Sequence, residues 1–179
     1  MPTWIVLLRG VNVGGKGKLP MKAWAADLAE LGCEEVRTYI QSGNAVLRSS
    51  QRSAGRLQAA IGEQLEERHG FRPAVQAYSA DQWADAIDDN PFPDAVDDPK
   101  SLHAYFLAAK PKAPDMDGLS RLPAPSERYH LAGRVFYLHA PDGVGRSRLA
   151  ARAEKLLGVE VTARNWRTVA ELGRLAEEI

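Results

Sequence analysis

The apolar positions of this chain fall in short blocks with two kinds of spacing. Trp4-Ile5-Val6-Leu7-Leu8 is unbroken and ends at Arg9-Gly10, the pattern of a strand buried on both faces. Met21, Trp24, Ala25, Leu28 and Leu31 recur at helical spacing, with Pro20 suited to the first turn and Gly32 to the C-terminal cap. Val36 to Ile40 is rich in β-formers, Gln41-Ser42-Gly43-Asn44 is a turn signal, and Ala45-Val46-Leu47 resumes as a strand, which predicts a hairpin. Ser53 is placed to cap a helix with Leu57, Ala60, Ile61 and Leu65 inward and a stop at Gly70; Phe71 to Tyr78 predicts a further strand. The order is β-α-β-β-α-β, the split βαβ arrangement of ferredoxin-like folds.

The second half repeats this order. Leu102 to Ala109 is an apolar strand, and a Pro-rich segment with Pro111, Pro114 and a turn near Leu119 stands where the first helix would be. Arg128 to Leu131 and Arg134 to His139 predict a hairpin around Ala132-Gly133. Ser147 is placed to cap a helix with Leu149, Ala153, Leu156 and Leu157 inward, ending at Gly158. Val159 to Val161 predicts a short strand, and Trp166 to Glu178 a last helix. Tyr39 and Gly43 have the same separation as Tyr129 and Gly133; Arg56-Leu57 matches Arg148-Leu149; Trp83 and Trp166 each stand near the start of an extra helix. The expected fold is α+β, a tandem duplication of two ferredoxin-like (βαββαβ) subdomains, each followed by an extra helix. The expected boundaries are 1–90 and 101–179. The run from 91 to 100, together with Asp88 and Asp89, is rich in Asp and Pro and is expected to be a solvated acidic linker.

A ferredoxin-like sheet with one wet face should show alternating strands. Trp4 to Leu8 and Val135 to Leu138 do not alternate, and leaving such side chains in water forfeits about 1.5–3 kcal/mol each. The second face of each sheet is therefore expected to be covered, by the rest of the chain or by a partner copy; a homodimer is the expectation if the chain does not cover it.

Composition narrows the function classes. Of 179 residues, 45% are hydrophobic, and 23 basic side chains balance 23 acidic ones. Such a chain builds a core, but lacks the basic surplus of a dedicated non-specific nucleic-acid binder. The single cysteine, Cys33, gives no disulfide framework and no cysteine metal cluster, and reads as a small buried hydrophobe. The histidines at 69, 103, 130 and 139 have no metal spacing, and no carboxylate pair suggests a catalytic dyad. No metal and no cofactor is expected. The first apolar run is too short for a signal peptide or membrane span, so a cytoplasmic protein without membrane contact is expected.

Three polar motifs stand out. From Leu7 to Pro20 the chain carries Gly10, Gly14, Gly15 and Gly17, the cations Arg9, Lys16 and Lys18, and Asn12. Glycines expose backbone N–H groups, which together with cations suit an anion, most often phosphate. The segment nearly matches G-x-x-x-x-G-K-[ST]. Gly17, however, replaces the hydroxyl that would hold magnesium, and Lys18-Leu19-Pro20 delays the helix that should start at the Lys. A Walker-type ATPase is excluded. In the second motif, Thr38 to Asn44, turn chemistry explains Ser42 and Gly43, while Gln41 and Asn44 remain as candidate ligand groups. In the third, Ala163 to Thr168, Asn165 or Thr162 is expected to cap a helix and Trp166 to enter the core. Arg164 and Arg167, three apart and expected near one helix face, suit a phosphate or carboxylate; the helix dipole disfavours them there, so they call for compensation.

These three motifs resemble the bacterial family of domain of unknown function 1697: Leu7-Leu8-Arg9-Gly10-Val11-Asn12-Val13-Gly14-Gly15, then Thr38-Tyr39-Ile40-Gln41-Ser42-Gly43-Asn44, then Ala163-Arg164-Asn165-Trp166. The resemblance spans nearly the whole chain and implies the duplicated ferredoxin-like architecture. It implies no activity, substrate or cofactor. The leading functional expectation is a binding module for an anionic, phosphate-bearing ligand, a nucleotide or a nucleic-acid backbone. Its candidate contacts are Arg9, Asn12, Gly14, Gly15, Lys16, Lys18, Gln41, Asn44, Arg164, Asn165 and Arg167. No ring appears between Asn44 and Ser49, which argues against base stacking on that sheet. Two rivals stand beside it. One is an enzyme acting on a small phosphorylated or carboxylated metabolite. The other is a structural, oligomer-forming protein whose motifs are folding devices.

Overall fold

A computed structural model describes residues 1–179. The chain forms two compact units, one of residues 1–85 with 171–179 and one of residues 86–170.

In the first unit, β1 (Thr3–Leu8), β2 (Glu34–Tyr39), β3 (Asn44–Arg48) and β4 (Val75–Ser79) form an antiparallel sheet of order β2-β3-β1-β4. Helices α1 (Met21–Glu30) and α2 (Ala54–His69) lie on one face. Trp24 and Leu28 of α1 and Leu57, Ile61 and Leu65 of α2 pack with Trp4, Val6, Leu8, Ala45, Leu47 and Ala77 of the strands. Helix α2 begins where Ser53 accepts a hydrogen bond from the Arg56 N–H and ends at Gly70, whose φ of 73° closes the last turn. Cys33 is buried in this core, and burial raises its thiol pKa. One charge is buried in α1: Asp27 accepts from Arg68 Nη1 at 2.9 Å and lies 2.7 Å from His69 Nε2, tying the middle of α1 to the end of α2. Arg68 also pairs with Glu30 at the end of α1, but Asp27 is the carboxylate that holds both Arg68 and His69, and the helical pattern gave no reason to notice it.

The opposite parity of the same strands is buried as well. Ile5, Leu7, Val46, Gln76 and Tyr78 are each less than 5% exposed, as the unbroken apolar runs require. Helix α3 (Ala80–Asp88) supplies Trp83, whose ring meets Tyr78 edge-on at 5.9 Å.

The second unit repeats this plan. β5 (Leu102–Leu107), β6 (Arg128–Ala132), β7 (Val135–His139) and β8 (Val161–Asn165) pair in the order β6-β7-β5-β8. Here α4 (Met116–Ser120) is a helix of five residues, and α5 (Arg148–Leu157) carries most of the covering. Leu119, Leu149, Ala153 and Leu157 pack on Tyr105, Leu107, Phe136 and Leu138. Helix α5 is again capped by a serine, Ser147, and closed by a left-handed glycine, Gly158. On the other face Ala104, Phe106 and Tyr137 are buried. Trp166, the first residue of α6 (Trp166–Glu177), lies 6.4 Å from the Tyr137 ring, and the Tyr137 hydroxyl donates to the Ala86 carbonyl at 2.6 Å. The α+β duplication is therefore present in strand order, register and helix capping.

The acidic Pro-rich segment departs from a solvated linker. It carries a 3₁₀ turn at Pro93–Ala95, and Phe92 and Ala95 are buried. Arg128 stacks 4.7 Å over the Phe92 ring and pairs with Asp94 at 2.7 Å. Buried Phe92 and Ala95 anchor the segment, and the Arg128–Asp94 pair adds a polar tie. On the paired strands β6 and β7 the register places Arg128 across from His139 and Tyr137 across from His130, so the two histidines do not face each other.

Candidate functional site

The glycine-rich loop is a miniature hairpin. Central strand β1 ends where the Leu8 N–H donates to the Gly43 carbonyl at 2.7 Å and the Arg9 N–H to the Ala74 carbonyl at 3.0 Å. The chain then turns back: the Asn12 N–H donates to Gly17 O at 2.9 Å, and the Lys16 N–H to Val13 O at 3.1 Å. Four glycines in this stretch, Gly10, Gly14, Gly15 and Gly17, have positive φ, as does Asn12 at 56°. Gly17 has a second constraint, since a Cβ there would lie 2.8 Å from the Gly10 carbonyl. A Pro20 entry completes the segment and α1 begins at Met21 with no side-chain cap. The loop thus delivers its lysines before the helix starts, which is geometrically unlike a P-loop.

Asn12 is the fastener. Its amide donates to Leu19 O at 2.8 Å and to Gln41 O at 2.7 Å, and its Oδ1 accepts from the Leu19 N–H at 2.8 Å. These three bonds join the first two sequence motifs: the glycine loop is pinned to the β2–β3 turn. Asn44 is fully buried and equally committed, donating to Tyr39 O at 3.1 Å and to Ser42 Oγ at 2.9 Å. Gly43 has a φ of 80°, and a Cβ there would fall 2.6 Å from Leu8 Cβ. The second motif is therefore largely a device for bringing this turn against the end of β1.

The exposed part of the site is different in kind. Arg9, Gly14, Gly15, Lys16, Lys18 and Gln41 are solvent-exposed. Lys16 and Lys18 enter no ion pair, and the Gly14 and Gly15 N–H groups make no backbone hydrogen bond. Charge and free amides are presented on a frame whose own polar groups are satisfied. The chain pattern did not reveal Val13 and Ile40, which are 62% and 50% exposed. Asn12 and Gln41 are hydrogen-bonded, so these two apolar residues flank the same fastening point. Ile40 has a φ of 48°, strained for a β-branched residue. The four-residue connection from Tyr39 to Asn44 imposes this conformation, which propensity alone would not assign.

The third motif lies in the second unit. Asn165 caps α6, its Oδ1 accepting from the Thr168 N–H at 3.1 Å, and Trp166 is buried, as expected. Arg164 and Arg167 do not share a helix face. Arg164 lies on β8, and α6 starts only at Trp166. The strand continues four residues further than the pattern suggested, because Thr162 to Asn165 are held by β5 in antiparallel register. Arg164 is half-buried, its Nη1 donates to Ala163 O at 2.9 Å, and desolvation lowers its pKa to about 10. Arg167 is exposed in the first turn of α6.

No helix is long and apolar enough to cross a membrane. No curated protein matches the sequence. Among solved structures, a conserved bacterial protein, SP0830, from Streptococcus pneumoniae superposes with a TM-score of 0.73. It is 20% identical, and the match covers 98% of each chain. At that identity the likeness is one of fold, and it extends through both units. The model of the protein family of unknown function DUF1697 matches residues 1–137, which contain the pinned loop and its turn, and the chain belongs to that family.

Proposed function

We propose that the first unit is a binding module for a phosphate-bearing anion, a nucleotide or a nucleic-acid backbone, received at the tip of the glycine loop. The observation that carries this reading is the division of labour in the loop. Asn12 spends all its hydrogen-bonding capacity on rigidity, while Lys16, Lys18 and the Gly14 and Gly15 amides remain unspent. A loop kept only for connection has no use for such a frame. Preorganised donors lower the ordering cost of binding, and successive glycine amides beside cations are a phosphate-receiving arrangement.

Binding fits better than catalysis at this place. Of the polar groups an enzyme would use here, Gln41, Ser42 and Asn44, two are committed to the turn itself: Asn44 donates to the Tyr39 carbonyl and to Ser42 Oγ. Arg9 adds charge at the base of the loop, and Gln41 a free amide beside it. Charge-assisted hydrogen bonds contribute about 1.5–3 kcal/mol each, so a few of them, offset by association cost, give a Kd between about 1 µM and about 1 mM.

The test is a titration of the full chain with pyrophosphate, ATP and a short single-stranded oligonucleotide at about 50 mM salt. Saturable binding of at least one, weakened about tenfold or more in Lys16→Ala/Lys18→Ala, is the expected result. Absence of binding to all three, or equal binding by the double variant, would overturn the reading.

A further inference from the structure

The geometry points to a second anion surface, independent of the loop: the outer face of α5 binds the phosphate backbone of a nucleic acid without reading its bases. Helix α5 carries Arg148, Arg152 and Lys155, and Arg146 precedes it in a 3₁₀ turn. All four are exposed and none enters an ion pair. At about 100° per residue, Arg148, Arg152 and Lys155 fall within an arc of about 60°. That arc lies away from Leu149, Ala153 and Leu157, which face the sheet. They span about 10 Å along the axis, a length over which a duplex presents several phosphates at one charge per about 1.7 Å.

Neutralisation within the helix is missing. The only carboxylate of α5, Glu154, accepts from the Val161 N–H at 2.9 Å, and the first turn has no acidic residue. Arginines at Arg146 and Arg148 sit against the positive end of the helix dipole, an arrangement that a bound anion relieves. The corresponding helix of the first unit has the opposite character. Aligning Arg56-Leu57 with Arg148-Leu149 puts Glu63 where α5 has Lys155. Glu63 and Glu66 of α2 are both paired with Arg72. The duplicated helix has thus exchanged a neutralised face for an unneutralised cationic one.

The composition of the face selects the partner. Between the cations the exposed residue is Ala151, and no exposed large hydrophobic residue lies on α5. A protein partner would want an aromatic or aliphatic anchor at the centre of its interface, and single-strand binders want rings for stacking. A phosphodiester backbone needs neither and is satisfied by a line of guanidinium groups.

Fluorescence anisotropy of a labelled mixed-sequence duplex of about 20 base pairs, titrated with the full chain at several salt concentrations, tests this. The expected result is sequence-independent binding whose log K falls with log salt. Arg148→Gln/Arg152→Gln/Lys155→Gln should weaken it tenfold or more and reduce the slope by about 2–3, while Lys16→Ala/Lys18→Ala leaves the slope contributed by α5 in place. The triple variant keeps Ser147 and the buried leucines; its circular dichroism melt, and a single Arg152→Glu variant, separate lost charge from lost fold. No duplex binding by the parent chain at about 20 mM salt, an unchanged slope in a folded triple variant, or equally tight binding of polyglutamate in place of DNA overturns the proposal, the last in favour of an acidic protein partner.

Discussion

The two units solve the same folding problem with the same parts and then diverge at the same places. In each, the central strand ends with a leucine N–H donating to the carbonyl of the neighbouring hairpin turn: Leu8 to Gly43 in one, Leu107 to Arg134 in the other. The next N–H bonds the residue leading into the outer strand, Arg9 to Ala74 and Ala108 to Glu160. Past that point the units part. The first inserts the Asn12-pinned glycine hairpin and a ten-residue α1; the second runs through Pro111 and Pro114 into the five-residue α4. The hairpin turns differ too. Four residues, 40–43, connect β2 to β3, whereas Gly133-Arg134 alone connect β6 to β7. Arg134 uses its side chain to satisfy Leu107 O and Ala108 O at the end of the strand. Packing holds the strand ends and helix caps constant; the connections are free to change, and the candidate ligand groups of the first unit sit on them.

The shared parts can be broken first. Trp83→Ala and Trp166→Ala each remove a nearly buried ring facing a tyrosine on the second sheet face. Each should cost about 3–5 kcal/mol, measured by urea unfolding, and similar losses would confirm that the two helices do the same job. A loss below about 1 kcal/mol in one of them would break the equivalence. The turns should respond unequally. Gly43→Ala combines positive φ, costing about 1–2 kcal/mol, with a 2.6 Å approach to Leu8 whose overpacking costs about 1–3 kcal/mol more. Gly133→Ala meets nothing within 4 Å and should show only the conformational cost. Equal destabilisation would contradict this account of why the first unit holds its turn so close to β1.

Asn12→Ala comes next. It leaves the Leu19 N–H and carbonyl without their partner and should cost about 1–3 kcal/mol. It should also loosen residues 13–18, read as faster amide exchange there. The second unit has no equivalent pin, so its exchange should not change.

The sequence and the structure agree where periodicity and capping carry the information. Ser53, Gly70, Ser147 and Gly158 mark both ends of α2 and α5, and the unbroken strands imply two buried faces. They part where a tertiary contact overrides a local pattern. Pairing with β5 carries β8 through Arg164, which separates it from the helical Arg167. Buried Phe92 and Ala95 anchor an aspartate-rich segment that composition alone assigns to solvent. Of the candidate site, the glycines and lysines were legible as chemistry. The role of Asn12 was not, because its partners Leu19 and Gln41 lie 7 and 29 residues away, and a single sequence does not show which carbonyls the fold will bring to it. Ile40 gave no signal at all, since its backbone conformation runs against its own propensity.

A smaller difference between the units is set by pH. Burial lowers the pKa of His103 in the second unit, and burial together with the Arg128 charge lowers that of His139. A histidine with a lowered folded pKa binds its proton more readily in the unfolded chain, so stability rises with pH between the folded value and the unfolded value of about 6.5. The second unit should therefore be stable above about pH 6.5 and lose stability as the pH falls below it. Asp94, whose pKa the Arg128 hydrogen bond lowers, adds a loss in the same direction at lower pH. Urea midpoints across this range, for the parent chain and for His103→Leu/His139→Gln, should show a shallower dependence in the variant. An identical dependence would place the titrating groups elsewhere.

The smallest expected effect is the one that isolates function from fold. Lys16 and Lys18 are exposed, unpaired and outside the Asn12 frame, so Lys16→Ala/Lys18→Ala should change stability by no more than about 0.5 kcal/mol. The loop keeps its glycines and its fastener, and no buried group loses a partner. If the same variant that leaves the melting temperature unchanged also loses the phosphate-bearing ligand, the cations belong to binding and Asn12 to structure. Measurable destabilisation of the double variant would instead mean that the lysines help hold the hairpin. The division of labour that distinguishes the first unit's loop from the second unit's Pro-rich connection would then be gone.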